Sequence, residues 1–145
     1  MKFKAAILFE CKKPLLIEEI SLNPLKEGQV LIKIFETGIC RSQIFEIDGE
    51  RGKDNWLPHL LGHEAIGEVV EVGKSVKKLK IGDKVIASWI RSEGISAEPA
   101  KYSLKDKVIH GGQITTFSEY SICSENTLIP FSEKFAHSIG PTLGC

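Results

Sequence analysis

The apolar residues of this chain fall in short runs, separated by polar and turn-forming residues at the spacing of strands rather than of long helices. Residues 2–9 predict a first strand, and residues 15–20 its hairpin partner beyond the turn Lys12-Lys13-Pro14. Asn23-Pro24 and Glu27-Gly28 bound a loop. The alternation over residues 29–36 predicts a long strand that leads into Thr37-Gly38-Ile39-Cys40. Residues 41–49 allow one or two helical turns ended by Asp48-Gly49, and residues 50–58 are polar and irregular, with Trp56 as their only large anchor. A strand over 68–72, a turn at Lys80-Ile81-Gly82-Asp83-Lys84 and a strand over 85–89 follow, and residues 116–122 and 128–130 finish the set. Residues 92–107, poor in large apolar groups, predict a surface loop, and residues 132–145 an exit from the core. Many short strands, glycine turns and hardly any helix make the expected fold class mainly β, a barrel-like domain. No repeat, heptad or low-complexity tract interrupts it.

Length and charge then narrow the functions. The 145 residues make one ordinary domain, 1–145, long enough to bury a core, and 42% hydrophobic residues suit a globular fold. The 19 basic residues balance the 19 acidic ones, so no global field draws the chain to nucleic acid or to an anionic membrane. The apolar run 5–9, between Lys4 and Glu10, is too short for a signal sequence or a membrane span, and the expected location is cytoplasmic. Cys11, Cys40, Cys123 and Cys145 are dispersed and include no CxxC pair, unlike a secreted disulfide scaffold. Cys11 and Cys123 have no polar partner pattern nearby and read as small buried hydrophobes.

The chemistry concentrates at Gly62-His63-Glu64, directly before a valine-rich strand with glycines at both ends. With Cys40 upstream and Cys145 downstream, the chain offers thiolate, imidazole and carboxylate, the donors of catalytic zinc. Such a site takes three protein ligands and keeps one position open. A structural zinc site would close with four ligands from paired CxxC knuckles, which are absent. Successive strand residues point to opposite faces, so His63 and Glu64 reach one metal only at a bend, which Gly62 permits. Glu64 then stands either beside the metal or as an exchangeable ligand. Taken alone, His63 reads more readily as a satisfied histidine at a strand start, and the glycines as turn chemistry.

The whole pattern carries more. GHE-x2-G-x5-G-x2-V fits residues 62–76 at every specified position and resembles the signature of the zinc-containing medium-chain alcohol dehydrogenases. Thr37-Gly38-Ile39-Cys40-Arg41-Ser42 resembles that family's first zinc-ligand segment. Trp56-Leu57-Pro58-His59-Leu60-Leu61, Gly82-Asp83-Lys84-Val85 and Phe117-Ser118-Glu119-Tyr120 resemble further landmarks in the same order. The resemblance runs from about Lys4 to Cys145 and implies the amino-terminal, GroES-like catalytic barrel of such an enzyme. It implies that Cys40, His63 and Cys145 ligate one catalytic zinc and that Glu64 sits beside it as an occasional ligand. It further implies that Ser42 passes the alcohol proton toward solvent and that Arg41 approaches the cofactor pyrophosphate. Zinc would then act as a Lewis acid on an alcohol or carbonyl substrate, and NAD or NADP would exchange the hydride.

The chain departs from that family in ways that shape the expectation. Gln43 stands where many relatives carry an acid that orients the zinc-binding histidine; a glutamine can accept a hydrogen bond but raises ligand basicity less. Phe45 stands where a full proton relay has a histidine, so Ser42 would deliver its proton to water directly or through a ribose hydroxyl. No cysteine lies between Cys40 and Cys123, so no structural zinc is expected. Nothing matches the GxGxxG turn of a dinucleotide-binding βαβ unit. The expectation is therefore the amino-terminal portion of a longer dehydrogenase, homo-oligomeric through the missing domain and without hydride transfer when isolated. Two alternatives stay open: a non-enzymatic GroES-like barrel module, which leaves Cys40, His63 and Cys145 without purpose, and a zinc-free quinone reductase relative, which has no thiol ligand at position 40.

Overall fold

The computed structural model describes residues 1–131; Cys145 and the exit segment 132–145 lie outside the described residues. The strands are β1 (Lys2–Leu8), β2 (Leu16–Leu22), β3 (Gln29–Thr37), β4 (His59–Leu60), β5 (Glu64–Val72), β6 (Lys84–Ser88), β7 (Lys101–Leu104), β8 (Lys107–His110), β9 (Tyr120–Ser124) and β10 (Leu128–Pro130). One helix, α1 (Arg41–Ile47), and a 3-10 turn over Glu125–Thr127 complete the set. Strands β1, β2, β7, β8 and β4 close into a barrel, and a five-stranded sheet runs in the order β10-β6-β5-β3-β9. The fold is mainly β with a closed barrel, as the sequence predicts.

The local reasons are simple. In β1, Phe3, Ala5 and Ile7 are buried while Lys2 and Lys4 face water, the period-two alternation of a half-buried strand. It pairs antiparallel with β2 from Lys2 opposite Ser21 to Ile7 opposite Leu16. Inside the barrel Phe3, Ile7, Ile20, Leu31, Leu60 and Ile109 pack around Tyr102. Phe3 meets Tyr102 edge-on, with ring centroids 5.7 Å apart. The Tyr102 hydroxyl accepts from Ile122 N–H at 2.7 Å, which satisfies a buried polar atom and joins barrel to sheet. A second core, with Val30, Ile32, Val69, Val85 and Leu128, lies on the sheet.

The region over 92–107, expected as a surface loop, instead supplies β7 and the start of β8, whose pairing closes the barrel. Its core contributions are small residues and one aromatic, with Ala97, Ala100 and Tyr102 all buried. Barrel closure there rests on backbone pairing, which needs few large side chains. Strand β5 begins at Glu64 rather than at 68, because Glu64-Ala65-Ile66-Gly67 is buried throughout and shows no alternation. The final long strand, expected over 116–122, lies at 120–124; Thr116 and Phe117 instead donate their N–H groups to the Leu61 carbonyl.

Glu125 ties the far end of the molecule together. It is buried, and its carboxylate accepts from the N–H groups of Lys77, Lys78 and Ile95, each at 2.8 Å. Burial alone would raise its pKa, but those backbone donors and the Lys78 ammonium outweigh it and hold the carboxyl below its usual range.

Candidate metal centre

Helix α1 and the start of β5 bring the Cys40 and His63 segments into contact through Gln43, but among the described residues the ligand atoms of Cys40, His63 and Glu64 do not gather into a three-donor cluster. Cys40 caps α1 and is partly buried. Gln43 folds back across the first turn: its N–H reaches the Cys40 carbonyl at 3.1 Å, and its side-chain carbonyl accepts from Cys40 N–H at 2.7 Å. Because Cys40 N–H can only donate, the amide N–H of Gln43 is what faces His63 Nδ1, at 2.5 Å. Gln43 is thus the link between the Cys40 and His63 segments, and it is itself buried.

Two glycines set the remaining geometry. Gly62 adopts φ +92, a bend that an L side chain resists, and a Cβ there would lie 2.3 Å from Thr116 Oγ1. The bend is the one the adjacency of His63 and Glu64 requires. A Cβ at Gly38 would lie 2.6 Å from the Glu64 carboxylate, so glycine lets the acid sit against β3. The backbone of Glu64 is firmly held, its carbonyl accepting from Gly38 N–H at 3.1 Å and from the Thr37 hydroxyl at 2.9 Å. Thr37 and Thr116 share a further hydrogen bond at 2.8 Å.

The side chains are not so satisfied. His63 Nε2 and Glu64 Oε2 are buried and have no hydrogen-bond partner. Buried polar atoms are nearly always paired, because an unpaired one costs about 1–3 kcal/mol. An imidazole nitrogen and a carboxylate oxygen left open beside a cysteine-capped helix fit a cation such as zinc in donor chemistry. One detail works against it. With Nδ1 accepting from Gln43, the neutral ring carries its proton on Nε2, the atom a metal would need. Metal ligation requires Gln43 to turn its carbonyl toward Nδ1 and give up the bond from Cys40 N–H.

Of the other predicted residues, Ser42 is partly exposed in the first turn of α1. Arg41 is exposed, with its guanidinium 5.1 Å from the Phe45 ring centroid, so the phenylalanine at the relay position serves as a platform for Arg41. Cys145 lies outside the described residues, and the complete ligand set is therefore not brought together here. Cys123 is buried in the sheet core, where desolvation pushes its thiol up to about 12, and Cys11 Sγ lies 3.8 Å from the Glu46 carbonyl. Cys123 thus fits its reading as a small buried hydrophobe, whereas Cys11 is only partly buried, which corrects that reading for it.

Residues 26–133 match the family described as the alcohol dehydrogenase GroES-like domain. The chain belongs to that family. It is 33% identical to the S-(hydroxymethyl)glutathione dehydrogenases of Synechocystis sp. and of Escherichia coli O1:K1, over the whole of this chain and 46% of theirs. The chain thus spans about half the length of these curated relatives. The alignments cover 170 positions against the 145 residues here, so the relatives carry insertions within the matched span. Among solved structures, the alcohol dehydrogenase zinc-binding domain protein from Burkholderia ambifaria superposes with a TM-score of 0.85 at 22% identity, a likeness of fold. CAD from Helicobacter pylori, complexed with NADP(H), gives 0.75 at 25% identity. Each match covers all of this chain and 46% of the other. In this chain the Cys40 segment follows β3 and Glu64 opens β5, neighbouring strands of the five-stranded sheet. Among the described residues, no helix is long and apolar enough to cross a membrane.

The contact of Gln43 with His63 was expected from the resemblance; what the sequence did not disclose is its second bond, to Cys40 N–H, which turns the amide N–H toward the histidine, although the spacing is that of a capping box. Nor did it disclose the pair Thr37–Thr116, whose members lie far apart in the chain.

Proposed function

We propose that this chain is the catalytic-domain portion of a zinc-dependent oxidoreductase that moves a hydride between an alcohol or carbonyl compound and NAD or NADP. Membership in the alcohol dehydrogenase family supports the reaction class. The observation that supports the site is the pair of buried, unpartnered polar atoms, His63 Nε2 and Glu64 Oε2, near the segment that ends in Cys40. In this reading Cys40, His63 and Cys145 hold one zinc, Glu64 stands beside it, and no structural zinc is present. Zinc supplies Lewis-acid polarisation of the substrate oxygen when bound.

The chain's own residues have distinct tasks. Glu64, held by three hydroxyl and N–H donors to its backbone carbonyl, presents a carboxyl group fixed in place at the site. Ser42, on the first turn of α1, takes the proton of the alcohol and releases it to water, since Phe45 cannot carry one. Arg41, stacked on Phe45, offers paired donors to a pyrophosphate on the exposed side of α1. The nicotinamide nucleotide itself is held by a second domain in the full-length protein, which acts in the cytoplasm as a homo-oligomer.

The test is to isolate the full-length protein and measure bound zinc and NAD(P)-linked oxidation of a panel of alcohols. Cys40→Ser and His63→Ala should each lose both zinc and turnover. Turnover retained without zinc would overturn the proposal in favour of a zinc-free relative, the reading toward which the amide of Gln43 leans. The 145-residue chain alone should show no hydride transfer.

A further inference from the structure

A second set of metal-capable side chains lies on a cavity of about 680 Å³ whose wall includes Gln43, Glu46, His59 and His63. Glu46 of α1, Asp54 of the following loop and His59 of β4 each offer one ligand atom, and these atoms lie within 4.8 Å of one another. None of the three belongs to the Cys40 centre. Gln43 and Glu46 are three residues apart on α1, neighbours on one helix face, and they address His63 and His59 in turn.

The hydrogen bonds around His59 fix its chemistry. Nδ1 faces the Leu60 carbonyl at 2.9 Å. A carbonyl only accepts, so Nδ1 keeps its proton, and Nε2 is the nitrogen that either a proton shared with Asp54 or a metal ion takes. This bond to a backbone carbonyl is the outer support that metal-ligating histidines carry. Nε2 in turn faces Asp54 Oδ2 at 2.7 Å and Glu46 Oε1 at 3.8 Å. The side chains of His59 and Asp54 are only 8% and 13% exposed. The second Asp54 oxygen accepts from Trp56 N–H at 2.8 Å. Burial pushes the Asp54 carboxyl up, but Trp56 N–H and His59 prevail and hold it below the usual carboxylate range. The second Glu46 oxygen lies 3.8 Å from Arg51.

Three lone-pair donors converge here, His59 and Asp54 largely shut off from water and Glu46 31% exposed, and such a group calls for a positive charge among its members. A proton on Nε2 serves Asp54 but leaves Glu46 beyond hydrogen-bond range. A metal ion about 2.1 Å from each ligand would set them roughly 3.0–3.4 Å apart, between the two separations observed. We propose that Glu46, Asp54 and His59 form a second metal site of this chain, for a divalent transition ion accepting one imidazole and two carboxylates. The absence of thiolate selects Zn2+, Co2+ or Mn2+ over softer ions. This goes beyond the dehydrogenase reading and does not depend on it.

Cobalt tests it, because a thiolate ligand gives a strong sulfur-to-cobalt charge-transfer band and a histidine–carboxylate site does not. The metal-free protein is titrated with Co2+ by absorbance and equilibrium dialysis. The Cys40→Ser/His63→Ala double variant should still bind one Co2+ per chain without the thiolate band. Adding Asp54→Asn or His59→Gln should weaken that binding at least 10-fold, with circular dichroism confirming the fold. No Co2+ bound by the double variant, or binding that Asp54→Asn leaves unchanged, overturns the proposal. Wild-type protein that binds Co2+ at the second site but shows no thiolate band would sink the Cys40 reading and leave this one standing.

Discussion

Two glutamates are buried to nearly the same degree, Glu125 at 2% exposure and Glu64 at 4%, and they do opposite things. Glu125 spends both oxygens on three backbone N–H groups and so sews the segments around Lys77 and Ile95 to the end of the sheet. Glu64 has its backbone secured from three sides while one side-chain oxygen, like His63 Nε2 beside it, has no partner. A satisfied buried charge is architecture. An unpartnered carboxylate oxygen, lodged against Gly38, has instead the donor chemistry a cation would use.

The largest separation of the two should come from deleting Glu125. Glu125→Ala strands three part-buried N–H donors, and urea unfolding should show a loss of about 3 kcal/mol. A loss under about 1 kcal/mol would mean water replaces the carboxylate, and the contrast would fail. On the other side, Gly62→Ala puts a Cβ into Thr116 at a positive φ and should cost about 2 kcal/mol, together with metal binding at His63. An alanine variant with unchanged stability and cobalt spectrum would show that the bend is not needed.

Smaller effects sharpen the comparison. Gln43→Asp supplies an oxygen to both Cys40 N–H and His63 Nδ1–H, removing the conflict over the tautomer. It should tighten zinc about 10-fold in a chelator competition. Equal or weaker binding would show that the amide already turns freely. The pH dependence should come next in size. Because the folded-state pKa of Glu125 is depressed, its contribution is fully present above the unfolded value of about 4.3 and is lost as pH falls through the folded one. Stability of the wild type should therefore drop more steeply below about pH 4.3 than that of Glu125→Gln, as read from urea midpoints. Parallel curves would remove Glu125 from the account. The smallest change belongs to Glu64→Gln in metal-free protein, where removing an unpartnered charge should leave stability within about 1 kcal/mol or raise it. A loss as large as that of Glu125→Ala would mean that the two carboxylates share one role.

The strand-rich class, the first hairpin, the short helix after Cys40 and the likeness of residues 62–76 to a dehydrogenase signature were all legible in residue order. Each rests on neighbours in sequence: alternation in β1, turn residues, a glycine before a histidine. The β7–β8 hairpin was not legible, because its burial comes from Ala97, Ala100 and Tyr102, and its stability from backbone pairing that closes a barrel. Sequence period reports runs of large apolar side chains, and that hairpin buries only Tyr102 and Ile109 among them. Glu64-Ala65-Ile66-Gly67 was missed as strand for the converse reason, since burial on both faces erases the alternation.

By itself, then, the sequence determined which donors exist and that Gly62 could bend the chain between barrel and sheet. Only the tertiary structure decided how those donors are used. Gln43 joins Cys40 to His63, Glu46 and Asp54 meet at His59, and Glu125 is satisfied where Glu64 is not. The physical reason is that hydrogen bonds and metal ligation act over about 2–3 Å. Such distances between residues remote in the chain are set by strand register and helix placement, which residue order encodes only through the packing of the whole.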